Sequence, residues 1–211
     1  MEHNDLWTEE RRLWNGGCKT VCGADEAGAG PLAGPVYAAA VILPAELHIE
    51  GLNDSKQLSA KKRDALFEEI IEKALAYAIV SVSAKEIDEI DILNARIKAM
   101  DLAIGQLPLQ PDIALIDGNR DHGKTYAITC AHELLIKGDS RSANIAAASI
   151  LAKVSRDRYM EQLAEQYPVY GFEKHKGYGT RAHYQALDTY GPCAEHRRTF
   201  LKKWEAQRHE S

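Results

Sequence analysis

Two apolar runs, "VCGAD" (21–25) and "VYAAAVIL" (36–43), flank "EAGAGPLAGP" (26–35), a stretch dominated by glycine, alanine and proline. The runs read as strands and the stretch between them as a tight turn with almost no side chains. Two acids, Asp25 and Glu26, sit side by side where the first run gives way. Neighbouring side chains on a strand point to opposite faces of a sheet. Both acids can therefore serve one site only if the backbone leaves strand geometry between them or just after. Gly28, Ala29 and Gly30 permit that departure, because glycine tolerates angles closed to other residues.

The rest of the chain alternates strand and helix signals. Leu66, Phe67, Ile70, Ile71, Ala74 and Leu75 recur at helical spacing within 59–77, with Ser59 as N-cap. "AIVSV" (78–82) reads as a strand. Ser83 with Glu86 forms a capping box, opening helical sequence to about Leu107 that breaks near Asp91. "DIALID" (112–117) and "TYAITCA" (125–131) read as strands, and 142–167 as a long alanine-rich helix. This order implies an α/β domain with a hairpin in its sheet, followed by a smaller C-terminal portion of helices and loops. Asp25 and Asp117 then lie at strand ends, where open α/β sheets place their ligands.

Composition excludes several function classes. No apolar run reaches membrane-spanning length, and the charged start "MEHNDLWTEERRLW" is unlike a signal peptide, so a cytoplasmic location is expected. Cys18, Cys22, Cys130 and Cys193 form no zinc pattern and read as reduced thiols. The net charge of −5 argues weakly against nucleic acid. The segment 172–204, however, carries seven Lys/Arg against three Asp/Glu, a local balance of +4 suited to phosphates. There is no phosphate-loop, dinucleotide, G-x-S-x-G or H-E-x-x-H motif.

Four acids stand out: Asp25, Glu26, Asp117 in "LIDGN" and Asp139 in "IKGDSRSAN". Each of the last two, taken alone, is well suited to a turn. Together the acids suit Mg²⁺ or Mn²⁺, which take oxygen ligands and bridge to substrate phosphate. Two such ions can clamp the attacking and leaving oxygens of a phosphodiester. "FEKHKGYGTRAHY" (172–184) interleaves basic and aromatic residues with glycine, a pattern that serves backbone contact and stacking, or an ordinary exposed loop. Lys56 in "NDSKQLS" either reaches a phosphate or decorates the turn before a helix.

In order, "DEAGAGPLAGPV", "NDSKQLS", "IDGN", "KGDSRSANIAAASILAKVSRDRYM", "HKGYGT" and "HRRTF" resemble the bacterial ribonuclease HII family over nearly the whole chain. The resemblance implies a ribonuclease H-like fold, a mixed five-stranded sheet flanked by helices with a small C-terminal helical segment. It implies three parts: a helical N-terminal extension (1–17), a catalytic domain (18–168) and a substrate-gripping loop with helices (169–211). It also implies that Asp25, Glu26, Asp117 and Asp139 are catalytic and hold Mg²⁺ or Mn²⁺, two ions when substrate is bound.

The implied partner is RNA/DNA hybrid or duplex DNA containing ribonucleotides, cut by a monomer on the 5′ side of the ribonucleotide to leave 3′-hydroxyl and 5′-phosphate ends. Such a nuclease must sense a 2′-hydroxyl. By the same likeness Gly28, Ala29 and Gly30 read that group through the main chain, and Tyr178 supports the sugars. Lys56, His196, Arg197 and Arg198 are expected on the phosphate side, while Asp157 is expected to be a helix ion-pair partner. One position departs from the family: its loop reads Gly-Arg-Gly, and here Ala29 stands in the middle, removing a forked phosphate donor. Two alternatives stand beside this reading. One is a type 1 ribonuclease H activity needing a run of ribonucleotides; the other is a hybrid-binding protein whose catalysis was lost with that arginine.

Overall fold

A computed structural model describes residues 5–52 and 58–209, so Lys56 lies outside the described residues. The sheet is five-stranded, and its pairings set the order of its strands. Strand β1 (Val21–Ala27) pairs antiparallel with β2 (Val36–Ile42), and β2 pairs antiparallel with β3 (Ala76–Val82). On its other side β1 runs parallel to β4 (Ile113–Asp117), which runs parallel to β5 (His132–Leu135). The expected mixed sheet is therefore present, with the glycine turn joining its central hairpin.

Strand β2 shows why both faces are covered. Val36, Ala38, Ala40 and Ile42 enter one core with Ile97, Met100 and Ile104 of helix α4 (Ile92–Gly105). Ala39 and Val41 enter the opposite core with Phe67 and Ile70 of α2 (Ala60–Lys73) and Ile150 of α5 (Ala143–Gln166). The two-residue period of a strand divides one apolar run between two helical layers. Helix α5 lies so close to the sheet that a Cβ on Gly23 would meet the Ile145 nitrogen at 2.2 Å. The alanine-rich start of α5 is what permits that approach.

Capping follows the sequence. Ser59 accepts from the Lys62 N–H, and Ser83 from the Glu86 N–H ahead of α3 (Ala84–Ile90). Asp91 breaks the two helices at φ 67 and caps α4 through the Asn94 N–H. Two boundaries differ from expectation. Helix α2 stops at Lys73 rather than Tyr77, because Leu75 N–H already bonds the Ile42 carbonyl and Ala76 pairs with Ile42. The fifth strand is His132–Leu135 rather than 125–131. Side chains of α4 capture three backbone donors of 125–131: Asn94 Oδ1 takes Thr125 N–H at 3.0 Å and Tyr126 N–H at 3.2 Å, and Asp101 Oδ1 takes Thr129 N–H at 2.8 Å.

The second half of α5 passes into a separate core. Met160 and Leu163 pack there with Leu32, Phe172 of α6 (Phe172–His175), Leu187 of α7 (Arg181–Tyr190) and Leu201 of α8 (Arg198–His209). At the other end, Glu10 of α1 (Thr8–Asn15) is fully buried against the start of α5. Its Oε1 accepts from Ser142 Oγ at 2.6 Å and from the Asn144 N–H at 3.2 Å.

Candidate active site

Asp25 and Glu26 do not share a face of β1. Asp25 lies with Gly23 on the α5 side and accepts from Ser149; its Oδ1 also accepts the Glu26 N–H at 2.7 Å. Glu26 points to the α4 side and pairs with Arg96. The strand continues regularly through Ala27, which pairs with Tyr37, and breaks at Gly28 with φ +96. The departure from strand geometry thus comes just after the acids. Both reach one cleft because they stand at the end of the strand, one on each side of it.

Asp117 closes β4 beside them, since parallel pairing sets Ala24 against Ile116. The Gly138 N–H donates to Asp117 Oδ1 at 2.7 Å, which draws the turn carrying Asp139 against β4. Asp139 is buried in that turn, directly ahead of α5. A cleft of about 370 Å³ is lined by Asp25, Glu26 and Asp117 on one wall and by Gly28, Ala29, Gly30 and Tyr178 on the other. Ser149, Lys153 and Arg156, spaced along α5, form its floor.

The electrostatics of the acids are unfavourable as they stand. Burial raises the Asp25 carboxyl well above the carboxylate range, and the charges of Glu26 and Asp117 raise it further. Burial raises Glu26 too, against the opposing pull of Arg96. Glu26 Oε2 is buried with no hydrogen-bond partner among the described residues. An orphaned carboxylate oxygen beside a buried Asp25 and a half-buried Asp117, all oxygen donors, fits a hard divalent cation. Among the described residues no three such groups are gathered in ready-made metal-holding geometry.

Tyr178 has a 46 % exposed ring, and its edge lies 3.6 Å from where a Cβ on Gly30 would stand. Its carbonyl accepts from His183 Nδ1–H at 2.9 Å. That bond leaves His183 Nε2 as acceptor for His196 Nε2–H at 2.9 Å, and His196 Nδ1 accepts the Cys193 N–H at 3.0 Å. The chain of bonds holds both imidazoles neutral. Burial is the main cause that pushes His183 down and His196 down to about 4.

His196 and Arg197 are therefore corrected from phosphate contacts to interior residues, because both are buried. Arg197 reaches inward to main-chain carbonyls, donating to Gly28 O at 2.7 Å, Ala29 O at 3.0 Å and Gly34 O at 2.9 Å. Arg198 is exposed at the start of α8. Asp157 is the ion-pair partner expected, taking Lys153 Nζ at 2.7 Å.

Sequence reading missed Arg96, Ser149 and Arg156. Arg156 is buried and donates to the carbonyls of Ala33, Pro35 and Lys176. Ser149, Lys153 and Arg156 recur at helical spacing, and up to Val154 the helix is otherwise apolar or alanine apart from Asn144. That polar stripe was the available signal for two of the three.

The family model described as ribonuclease HII matches residues 22–206. The ribonuclease HII of Caldicellulosiruptor bescii is 51% identical over 201 residues, covering 95% of this chain and 96% of its own. That of Endomicrobium trichonymphae is 55% identical over 197 residues, covering 93% and 92%. Among solved structures, ribonuclease H2 from Pyrococcus horikoshii OT3 superposes with a TM-score of 0.75 at 28% identity, covering 92% of this chain and 100% of that one. Bst-RNase HIII in complex with Mn²⁺ shares the fold, with a TM-score of 0.58 at 21% identity, covering 86% of this chain and 64% of that one.

Proposed function

This chain belongs to the ribonuclease HII family, and from that premise we propose that its cleft cuts the phosphodiester on the 5′ side of ribonucleotides. It is a ribonuclease H, an endonuclease of a metal-dependent family acting on nucleic acid. The substrates in this reading are RNA/DNA hybrids and single ribonucleotides embedded in duplex DNA, cut to 3′-hydroxyl and 5′-phosphate ends. Ribonucleotide excision and primer removal would be its tasks. The observation that carries the reading is a shared cavity: Asp25, Glu26 and Asp117 face the same cleft as the 28–30 loop and Tyr178.

Asp25, Glu26, Asp117 and Asp139 would hold Mg²⁺ or Mn²⁺, two ions with substrate bound. Bound there, the metal supplies charge neutralisation at the scissile phosphate and an activated water. The protein's own share is positional. Gly28–Gly30 present backbone with almost no side chain, so a sugar can approach closely. The Tyr178 ring is free to pack on the sugars at the junction. Lys153, a cleft cation not singled out by the sequence, would meet the phosphates.

The test is cleavage in Mg²⁺ or Mn²⁺ of three labelled duplexes: one embedded ribonucleotide, an RNA/DNA hybrid, and all-DNA. Incision 5′ of the single ribonucleotide, with a 3′-hydroxyl product and intact all-DNA, is expected. Cleavage of the hybrid alone would replace this reading with a nuclease that needs a run of ribonucleotides.

A further inference from the structure

The geometry points to Arg197 as the positioning residue for ribose selectivity: by holding two carbonyls behind the glycine loop, it turns two amide N–H groups into the cleft. A trans peptide unit sets its C=O and N–H in opposite directions, and no peptide bond among the described residues is cis. The Gly28 carbonyl shares its unit with the Ala29 N–H, and the Ala29 carbonyl shares its unit with the Gly30 N–H. Both carbonyls point at the Arg197 guanidinium, at 2.7 Å and 3.0 Å. Both N–H groups therefore point away from it. Residues 28–30 line the cleft and Arg197 does not, so away from Arg197 is toward the cleft. Neither N–H has a hydrogen-bond partner among the described residues.

Arg197 is itself firmly placed. It is fully buried, its third donor reaches Gly34 O at 2.9 Å, and its guanidinium lies 5.2 Å from the Phe200 ring centroid. Its own N–H bonds the Leu32 carbonyl at 2.8 Å, so the 195–197 segment runs bonded to 32–34 as a strap. A planar fork bonding two successive carbonyls fixes both peptide planes at once, which a single-point donor does not. Two adjacent, outward N–H groups make a concave donor pair suited to an electron-rich oxygen such as a ribose 2′-hydroxyl. This rests on the reading of the cleft as a ribonucleotide site.

The experiment compares binding of a single-ribonucleotide duplex and the matching all-DNA duplex, by fluorescence anisotropy without divalent metal, for wild type and Arg197→Lys. Lysine keeps the charge and loses the fork. Affinity for all-DNA should stay at the wild-type level, while the ribonucleotide preference falls about threefold to tenfold, the worth of a neutral hydrogen bond. General damage to the fold would instead weaken both.

If Arg197→Lys fails to fold, a backbone ester replacing the Ala29–Gly30 amide removes the Gly30 N–H with Arg197 intact, and the same loss of preference is expected. A preference undiminished in the folded lysine variant, or in the ester protein, overturns the role of Arg197. A wild type that binds both duplexes equally overturns the ribonucleotide reading itself, and this inference with it.

Discussion

Charge is buried on both sides of the cleft, and the two sides treat it in opposite ways. On the sheet side, Asp25 and Glu26 are desolvated next to Asp117, and one Glu26 oxygen lacks any partner among the described residues. On the C-terminal side, Arg156 and Arg197 are as deeply buried, and no carboxylate forms a salt bridge with either among the described residues. Yet six main-chain carbonyls accept from these two guanidiniums: those of Ala33, Pro35 and Lys176, and those of Gly28, Ala29 and Gly34. The arginines are solvated by the fold. The acids are left for something outside it to solvate. Burial alone does not mark a functional charge. Neither does an unsatisfied atom alone, since Glu10 Oε2 is orphaned too among the described residues. An unsatisfied remainder that opens on a cleft shared with other acids does.

The sharpest way to break this contrast is to remove charge from the acid side. Asp25→Asn keeps the shape and removes the repulsion among three carboxylates. Cleavage should be almost abolished, since the metal would be poorly held. The metal-free variant should nonetheless melt higher than metal-free wild type, because a desolvated like charge is gone. Mg²⁺ or Mn²⁺ should raise the melting temperature of wild type and leave that of the variant nearly unchanged. Thermal melts with and without metal, run beside a cleavage assay, check all three. A metal-free variant less stable than wild type would mean the acids are structural like the arginines.

The mirror experiment removes charge from the other side. Arg156→Met is close in length and apolar, so packing is largely kept while the Ala33, Pro35 and Lys176 carbonyls lose their donors. Orphaning buried acceptors should destabilise by about 3–5 kcal/mol, read by urea unfolding. Where Asp25→Asn stabilises and inactivates, Arg156→Met should destabilise. A near-neutral result would show that the carbonyls find water and that the arginine layer is not what holds the loop.

This asymmetry also explains what could be read from the sequence. Two-residue and helical periodicities gave the sheet and its flanking helices, because those patterns report directly which face is buried. The acids were legible as a set rather than singly: Asp117 and Asp139 each suit a turn, but four acids beside glycines after strands together suit a metal site. His196 and Arg197 were not: "HRRTF" looks like a basic surface, and only the fold shows it packed beneath residues 28–34. A buried arginine solvated by carbonyls leaves no mark in composition, since its partners are main-chain groups of distant residues. Strand β5 was misplaced for the same reason. Asn94 and Asp101 take three backbone donors of 125–131, and that competition spans helix to loop across some thirty residues.

The smallest expected effect tests whether neutrality in the C-terminal core is held as firmly as charge is in the arginine layer. His196 has its folded pKa pushed from 6.5 to about 4, chiefly by burial. The unfolded chain therefore takes up the proton first as pH falls. Stability contributed by the neutral ring is complete above pH 6.5, declines through the interval down to about 4, and falls no further below it. At about 1.4 kcal/mol per pH unit, that interval sets a ceiling of ~3.5 kcal/mol for the loss. Partial relaxation around the ring would bring the measured loss below this. His183 titrates in the same direction; its proton enters at Nε2, so acid should break the bond to His196 while the Nδ1–H bond to the Tyr178 carbonyl remains. Urea unfolding as a function of pH should show this slope in wild type and a shallower one in His196→Gln, which has no proton to gain. Equal slopes in the two proteins would place the acid sensitivity elsewhere.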